Sequence, residues 1–306
     1  MNNIPAQVST ADWPLFPREV AFDWSNSPLH WIPQSPIASH AVNHFSFTLV
    51  RGEYFFCRMF NKALPYIRDE KLKRDVEVFI RQEAIHANAH KISIEQYIKR
   101  YGVDIEKHYK NTAQLFDTIL ADKPMGFQLP KALEKQWLFF RVAIVAAAEH
   151  YTCALGQYVL TQSHWEARGC DPEVSDLFTW HCAEEVEHRT VAFDLFQHLS
   201  GSYAMRALVM AGVAPIFTGL MVTGTASLAQ ADPSLSKSQT SLLKRSFWNA
   251  WQSASKQKFV PSPWWFIQTS FRYFKPSYHP YYEGSTELAV AYINQSPSVI
   301  QSAEFQ

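Results

Sequence analysis

The chain has 306 residues, of which 47% are hydrophobic and 15% aromatic, enough to bury one large core. Its 28 basic and 28 acidic residues balance, so no net charge attracts nucleic acid, and we expect no nucleic-acid partner. The four cysteines form no CxxC pair, and the N-terminal residues show no basic segment followed by an apolar one. We therefore expect no disulfide framework, no signal peptide and a cytoplasmic location.

The chain divides into three parts by composition. Residues 1–37 are rich in proline and tryptophan, and because proline interrupts helices we expect an extended arm lying over the core. Residues 38–200 contain few glycines, and their apolar residues recur at helical spacing. Residues 201–306 are apolar and aromatic, and for them we expect additional helices.

Four long helices are predicted in the central part, over 38–64, 70–100, 130–166 and 172–199. The connection 102–129 between the second and third helices is much longer than the other two. Two helical hairpins joined by one long crossover are typical of ferritin-like proteins. The sequence therefore predicts an all-α fold, a ferritin-like four-helix bundle with additional C-terminal helices.

Each predicted apolar stripe is interrupted by glutamate or histidine. Residues three or four apart share one face of a helix, so these polar side chains point inward with their apolar neighbours. Buried carboxylates need a compensating positive charge, which two metal ions would provide. The interrupting residues are Glu53, Glu83, His86, Glu149, His181, Glu185 and His188.

The pattern occurs twice along the chain. Glu53 precedes the Glu83-x-x-His86 pair by 30 residues, and Glu149 precedes Glu185-x-x-His188 by 36. One lone glutamate and one Glu-x-x-His pair from each hairpin form the ligand set of di-iron and di-manganese carboxylate bundles. We expect two iron ions as cofactors, with manganese or a mixed iron–manganese pair as the alternative.

Two positions near the predicted ligands stay open. Glu184 and Glu185 both lie close to the line that joins His181 and His188, and the i,i+3 relation to His188 favours Glu185. His90 is either a further ligand or a histidine on the helix face that is bonded to a neighbour, and we expect the second.

At the motifs RGEYFF, QEAIHANAH, AAAEHYT and WHCAEEVEHRTVAFD, the chain resembles a bacterial family described as predicted metal-dependent hydrolases. The resemblance spans most of residues 38–200. The ligand spacing also resembles that of p-aminobenzoate N-oxygenases, di-iron enzymes in which an additional histidine stands four residues before the last glutamate. His181-x3-Glu185-x2-His188 matches this spacing. The resemblance implies a seven-ligand site of Glu53, Glu83, His86, Glu149, His181, Glu185 and His188.

The C-terminal part has two notable segments. Residues 203–230 form the longest apolar run, interrupted by Pro215 and by glycines, and we expect a helix or a broken helical hairpin that packs on the bundle or dips into a membrane face. Residues 245–282 mix basic and aromatic side chains, which suits a membrane interface or a lid over an apolar pocket. Peripheral membrane contact is therefore one expectation.

Three functions follow from the predicted site. The first is a di-iron oxidoreductase that activates O2 to oxidise an apolar or aromatic small-molecule substrate, with electrons from an external donor or from the substrate, since no flavin or nicotinamide fingerprint occurs. The second is a binuclear metal-dependent hydrolase. The third is iron or manganese handling without an organic substrate. Homodimer formation stays open.

Overall fold

A computed structural model describes residues 14–103, 110 and 112–304. Every regular element in that part of the chain is helical, which confirms the predicted all-α fold. The first 13 residues of the predicted arm lie outside the described residues, as do 104–109 and 111 of the predicted crossover.

Two helical hairpins form the centre of the molecule. Helix α1 (Pro36–Ala63) packs along α2 (Glu70–Gln96). Helix α3 (Lys131–Tyr158) packs against α4 (Pro172–Glu187) and α5 (Val191–Leu199). Contacts of α1 with α3, and of α2 with α4 and α5, close the bundle. This is the ferritin-like arrangement that the long second connection predicts.

The helix that carries the last three predicted ligands begins at a capped turn. The Asp171 side chain accepts a hydrogen bond from the backbone N–H of Val174 at 3.0 Å, and Pro172 occupies the first helical position. The prediction of one continuous helix over 172–199 is wrong, because α4 ends at Glu187 and α5 begins at Val191. The Arg189 guanidinium donates to the carbonyl of Val186, so this carbonyl stays hydrogen-bonded across the break.

The helices that follow the bundle in the chain pack over its surface. Helix α6 packs on α1 and α3, and the two large apolar clusters contain residues from both the bundle and the C-terminal helices. The C-terminal helices are α6 (Tyr203–Ala231), α7 (Lys237–Thr240), α8 (Arg245–Lys256), α9 (Pro263–Tyr273), α10 (Thr286–Ile293) and α11 (Pro297–Glu304).

Helix α6 is one continuous helix with Pro215 inside it, so of the two alternatives expected for this segment the helix is correct and the broken hairpin is wrong. A Cβ atom at Gly224 would lie 1.5 Å from the His44 ring, which explains how α6 approaches α1 so closely. By length and composition, Lys131–Ser163 and Tyr203–Ala231 could each cross a membrane. Most residues of the first are buried, as in a core helix, whereas only a minority of the residues of the second are buried.

Candidate metal centre

The structure brings all seven predicted site residues together inside the bundle. One comes from α1, two from α2, one from α3, two from α4, and the last from the residue that caps the C-terminus of α4. Each is at most 4% exposed. These residues are Glu53, Glu83, His86, Glu149, His181, Glu185 and His188.

Their side chains form two overlapping clusters that share Glu185. In each cluster the candidate ligand atoms all lie within 4.8 Å of one another. Oε1 of Glu185 lies 3.1 Å from Nε2 of His181 and 3.5 Å from Nδ1 of His86, whereas Oε2 lies 3.4 Å from Nε2 of His188. Glu185 therefore faces both clusters at once. The clusters are Glu53, His86, His181 and Glu185, and Glu83, Glu149, Glu185 and His188.

The other distances match ligands arranged around an ion. Nε2 of His188 lies 3.4 Å from an oxygen of Glu83 and 3.4 Å from one of Glu149, and Nε2 of His181 lies 3.6 Å from Oε1 of Glu53. Two ligand atoms that are each about 2.0–2.2 Å from one metal ion are separated by roughly 3.0–3.6 Å. A metal ion would thus fit within each cluster with little movement of the side chains.

The polar atoms of the centre lack the partners that buried groups need. Among the described residues, no hydrogen-bond partner exists for either oxygen of Glu53, Glu83 and Glu149, for Oε2 of Glu185, or for one nitrogen each of His86 and His188. An unsatisfied buried polar group costs about 1–3 kcal/mol, and more if charged. Metal ions would satisfy these atoms together, so the residues present fit a binuclear site.

Electrostatics in the cluster favour a bound cation. Burial, together with neighbouring carboxylates, raises the pKa of Glu53 and Glu83 well above the usual range and that of Glu149 to about 7. Burial also acts to raise the pKa of Glu185, but the adjacent imidazoles hold it well below its usual value. Burial opposes protonation of His188, yet the carboxylates raise its pKa to about 10. Metal binding would displace protons from this cluster.

Glu184 lies behind one of the candidate ligands and in neither cluster. Nε2 of His86 donates to Oε2 of Glu184 at 2.9 Å, which leaves Nδ1 of His86 facing the centre. A carboxylate that orients a metal-binding imidazole in this way also raises its basicity. Of the two glutamates that the spacing left open, Glu185 is the one that faces the centre.

Hydrogen bonds also orient the other two candidate histidine ligands, His181 and His188. Nδ1 of His181 lies 2.9 Å from Nε2 of His90, and Nδ1 of His90 lies 3.0 Å from Oγ of Ser46. Nδ1 of His188 donates to Oε1 of Gln82 at 3.1 Å. In each case the remaining Nε2 faces the centre. His90 is bonded to neighbouring side chains, as expected, and belongs to neither cluster.

An arginine from the N-terminal arm completes this outer layer. Arg18 donates to Glu184 at 2.9 Å and to both carboxylate oxygens of Glu187 at 2.8 Å, and Gln82 donates to Glu187 at 3.0 Å. Sequence reasoning missed Arg18 and Gln82. Arg18 has no periodic pattern around it, and the only signal for Gln82 is its position directly before Glu83.

An apolar cavity adjoins one side of the centre. His181 and Glu185 contribute to its wall, while most of the remaining wall consists of aliphatic and aromatic side chains. The C-terminal helices supply part of this lining, including Met221, Trp251 and Phe266. One side of the centre is therefore bordered by a mostly apolar surface that suits a small apolar molecule.

Comparison with known proteins identifies the family. The family model described as predicted metal-dependent hydrolase matches residues 16–284, which include all seven residues of the centre and the arginine of the arm. No curated protein and no solved structure matches the chain. Since the family model covers most of its length, the chain belongs to the family of predicted metal-dependent hydrolases.

Proposed function

We propose that this protein is an enzyme that holds two metal ions, with Glu185 shared by the two clusters that would hold them, and acts on a small organic substrate in the adjoining cavity. The observation that carries the proposal is the pair of overlapping clusters, most of whose buried oxygen and nitrogen atoms lack a hydrogen-bond partner in the described part of the chain. The family description, which names metal dependence, supports the same conclusion.

Two iron ions are the proposed cofactors, with manganese or a mixed pair as the alternative. A set of carboxylates and imidazoles suits these divalent ions, and glutamates with Glu-x-x-His pairs in a four-helix bundle form the ligand set of di-iron and di-manganese proteins. Bound metal ions would supply either O2 chemistry or an activated water. The chain's own residues would fix the ligand geometry and hold the substrate.

Oxidation of an apolar substrate with O2 is the reaction that the surroundings of the centre favour. The cavity wall beside His181 and Glu185 is almost entirely apolar, so it would admit O2 and an apolar molecule and exclude water. Electrons would come from an external donor or from the substrate, because the sequence contains no nucleotide-binding fingerprint.

Hydrolysis is the second candidate, and the family description favours it. The same two clusters would hold the ions, and an apolar acyl group would occupy the cavity while the bond to be cleaved lies beside Glu185. Metal handling without an organic substrate would need no apolar cavity at the centre, and we therefore rank it third.

One experiment separates these reactions. The protein would be loaded without oxygen with Fe(II), Mn(II) or Zn(II), and bound metal, O2 consumption, visible absorption and hydrolysis of aliphatic esters would be measured. Iron-dependent O2 uptake with a new visible band supports oxidation, whereas ester hydrolysis with Zn(II) or Mn(II) and no oxygen requirement supports the hydrolase. Glu185→Ala should abolish either activity, and Glu95→Ala, at an exposed position, should preserve it.

A further inference from the structure

The residues that line the apolar cavity lie along two helices of the bundle, starting beside His181 and Glu185 of the centre. On α1, Leu49 lines the cavity four residues before Glu53, and on α3, Thr152 lines it three residues after Glu149. From there the lining continues along both helices away from the centre. The lining thus runs towards the N-terminus of α1 and towards the C-terminus of α3.

The far end is marked by Ala41 on α1 and by Ser163 in the turn that follows α3. Leu49 and Ala41 are eight residues apart, and Thr152 and Ser163 are eleven apart. At 1.5 Å per helical residue the lining extends over about 12–16 Å. Because of the tetrahedral zigzag, each carbon–carbon bond of about 1.5 Å advances an extended chain by about 1.25 Å, so about ten to thirteen carbons span this length.

The side chains between the two ends carry no charge. Apart from His181 and Glu185, the described residues that line the cavity include no acidic, basic or histidine side chain. A charged or strongly polar group in the middle of the cavity would lose its hydration without compensation. The middle section therefore suits an unbranched hydrocarbon chain.

The far end, in contrast, has polar groups that lack partners. The hydroxyl of Ser163, which is fully buried, and the buried hydroxyl of Tyr158 have no hydrogen-bond partner among the described residues. Both line the cavity. A buried hydroxyl without a partner costs about 1–3 kcal/mol, so a ligand that accepts hydrogen bonds would be stabilised here.

A guanidinium group lies at this same end. Arg168 does not itself line the cavity, but its guanidinium stacks on the ring of Phe259, a cavity residue, at 3.8 Å from the ring centroid. Its Nη1 donates to the carbonyl oxygens of Ser163, at 3.4 Å, and of Gln257, which leaves its other N–H groups for a ligand. Burial raises the pKa of Tyr158 to about 12, and the nearby charge of Arg168 opposes that rise. In the described part of the chain, Arg168 forms no salt bridge with a carboxylate.

We propose that the cavity binds an unbranched aliphatic carboxylic acid of about ten to thirteen carbons. Its carboxylate would pair with Arg168 and accept hydrogen bonds from Tyr158 and Ser163, and its other end would lie beside His181 and Glu185. A guanidinium suits a carboxylate because its N–H groups match the two oxygens. This names the substrate class for the two-metal function proposed above and rests on that function.

Calorimetric titration of the metal-loaded protein under anaerobic conditions tests binding without turnover. Dodecanoic acid is the probe, with 1-dodecanol as the uncharged match and hexanoic acid as the short one. We expect one dodecanoate per chain, with affinity at least tenfold higher than for either comparison molecule. Equal affinity for acid and alcohol, or no binding of dodecanoate, would overturn the proposal.

Substitutions at Arg168 and Tyr158 test where the carboxylate of dodecanoate binds. Arg168→Gln should weaken dodecanoate binding at least tenfold and leave dodecanol binding unchanged, and Tyr158→Phe, which keeps the ring, should weaken it several-fold. Arg245→Gln, at an exposed position, is the control and should bind like the wild type. Unchanged dodecanoate affinity in Arg168→Gln contradicts the proposal even if the protein is active. Tight dodecanoate binding without any metal-dependent reaction would instead contradict the proposed function and leave this inference standing.

Discussion

Glu185 is the residue on which the arrangement of the centre depends, because its two oxygens face different clusters. Its position on α4, four residues after His181 and three before His188, places all three side chains on one face. Helical spacing sufficed to predict the seven residues that converge, since it determines which side chains share a face. Glu184 and Glu185 both lie close to the predicted line, and only the i,i+3 relation to His188 favours Glu185. Spacing could not predict the partners of Glu184, which pairs with Arg18 of the arm and with His86.

The hydrogen bond between Glu184 and His86 leads to a prediction about metal affinity. Glu184→Ala should weaken metal binding about 10–100-fold, because His86 loses the carboxylate that orients its ring. Metal affinity would be measured by competition with a chelator of known affinity. Glu95→Ala is the matched control at an exposed position of α2, and equal losses in both variants would refute the orienting role.

A second prediction for a single residue concerns the pH dependence of stability, through Asp232. Asp232 is buried, which opposes its ionisation, but hydrogen bonds from His40, Ser234 and His30 hold its pKa below the usual value. A lowered folded-state pKa contributes stability that is complete above the unfolded value of about 3.9 and is lost as the pH falls through the folded value. Wild type should therefore be more stable than Asp232→Asn near neutral pH, and the difference should shrink below about pH 4 in chemical unfolding. A difference that grows towards low pH would contradict this.

At the scale of elements, the close contact between α3 and α4 controls the spacing of Glu149 and Glu185. A Cβ atom at Gly156 would lie 2.3 Å from the carbonyl oxygen of Cys182, a backbone atom that cannot easily move. Periodicity predicted both helices but could not predict this contact or the break after Glu187, because each depends on neighbours distant in sequence. The Arg189 side chain at the break, for example, also donates to the carbonyl of Tyr281.

Two glycine variants test this contact. Gly156→Ala should lower the free energy of unfolding by about 1–3 kcal/mol, as overpacked sites do. Gly212→Ala, in the exposed part of α6 with no atom within 4 Å of the added carbon, should raise it by about 0.5–1 kcal/mol through the helix preference of alanine. Denaturant unfolding measures both, and equal effects would contradict the account.

For the whole molecule, the sequence indicated a helical C-terminal part but not how it covers the bundle. Helix α6 is apolar on nearly every face, so periodicity could not show which side packs against α1 and α3. Peripheral membrane contact stays a prediction, and the uncharged exposed face of α6 between Ala204 and Thr223 is the surface on which it would act.

Metal binding should stabilise the entire fold, because the centre joins both hairpins. At a free metal concentration one hundred times the dissociation constant, one site adds about 2.7 kcal/mol. The wild-type protein should therefore unfold at a higher temperature with bound metal than after chelation, as followed by circular dichroism. The same unfolding temperature in both states would show that the buried carboxylates need no metal.

The number of metal ions bound per chain tests the central claim most directly. The protein would be loaded with Fe(II) without oxygen, freed of excess metal by gel filtration and analysed for iron, in parallel with Glu185→Ala and the control Glu95→Ala. Two overlapping clusters that share Glu185 predict about two ions in the wild type and the control, and fewer than one tightly bound ion in Glu185→Ala. No stoichiometric metal in the wild type, or two ions in Glu185→Ala, would contradict a binuclear centre that depends on this shared residue.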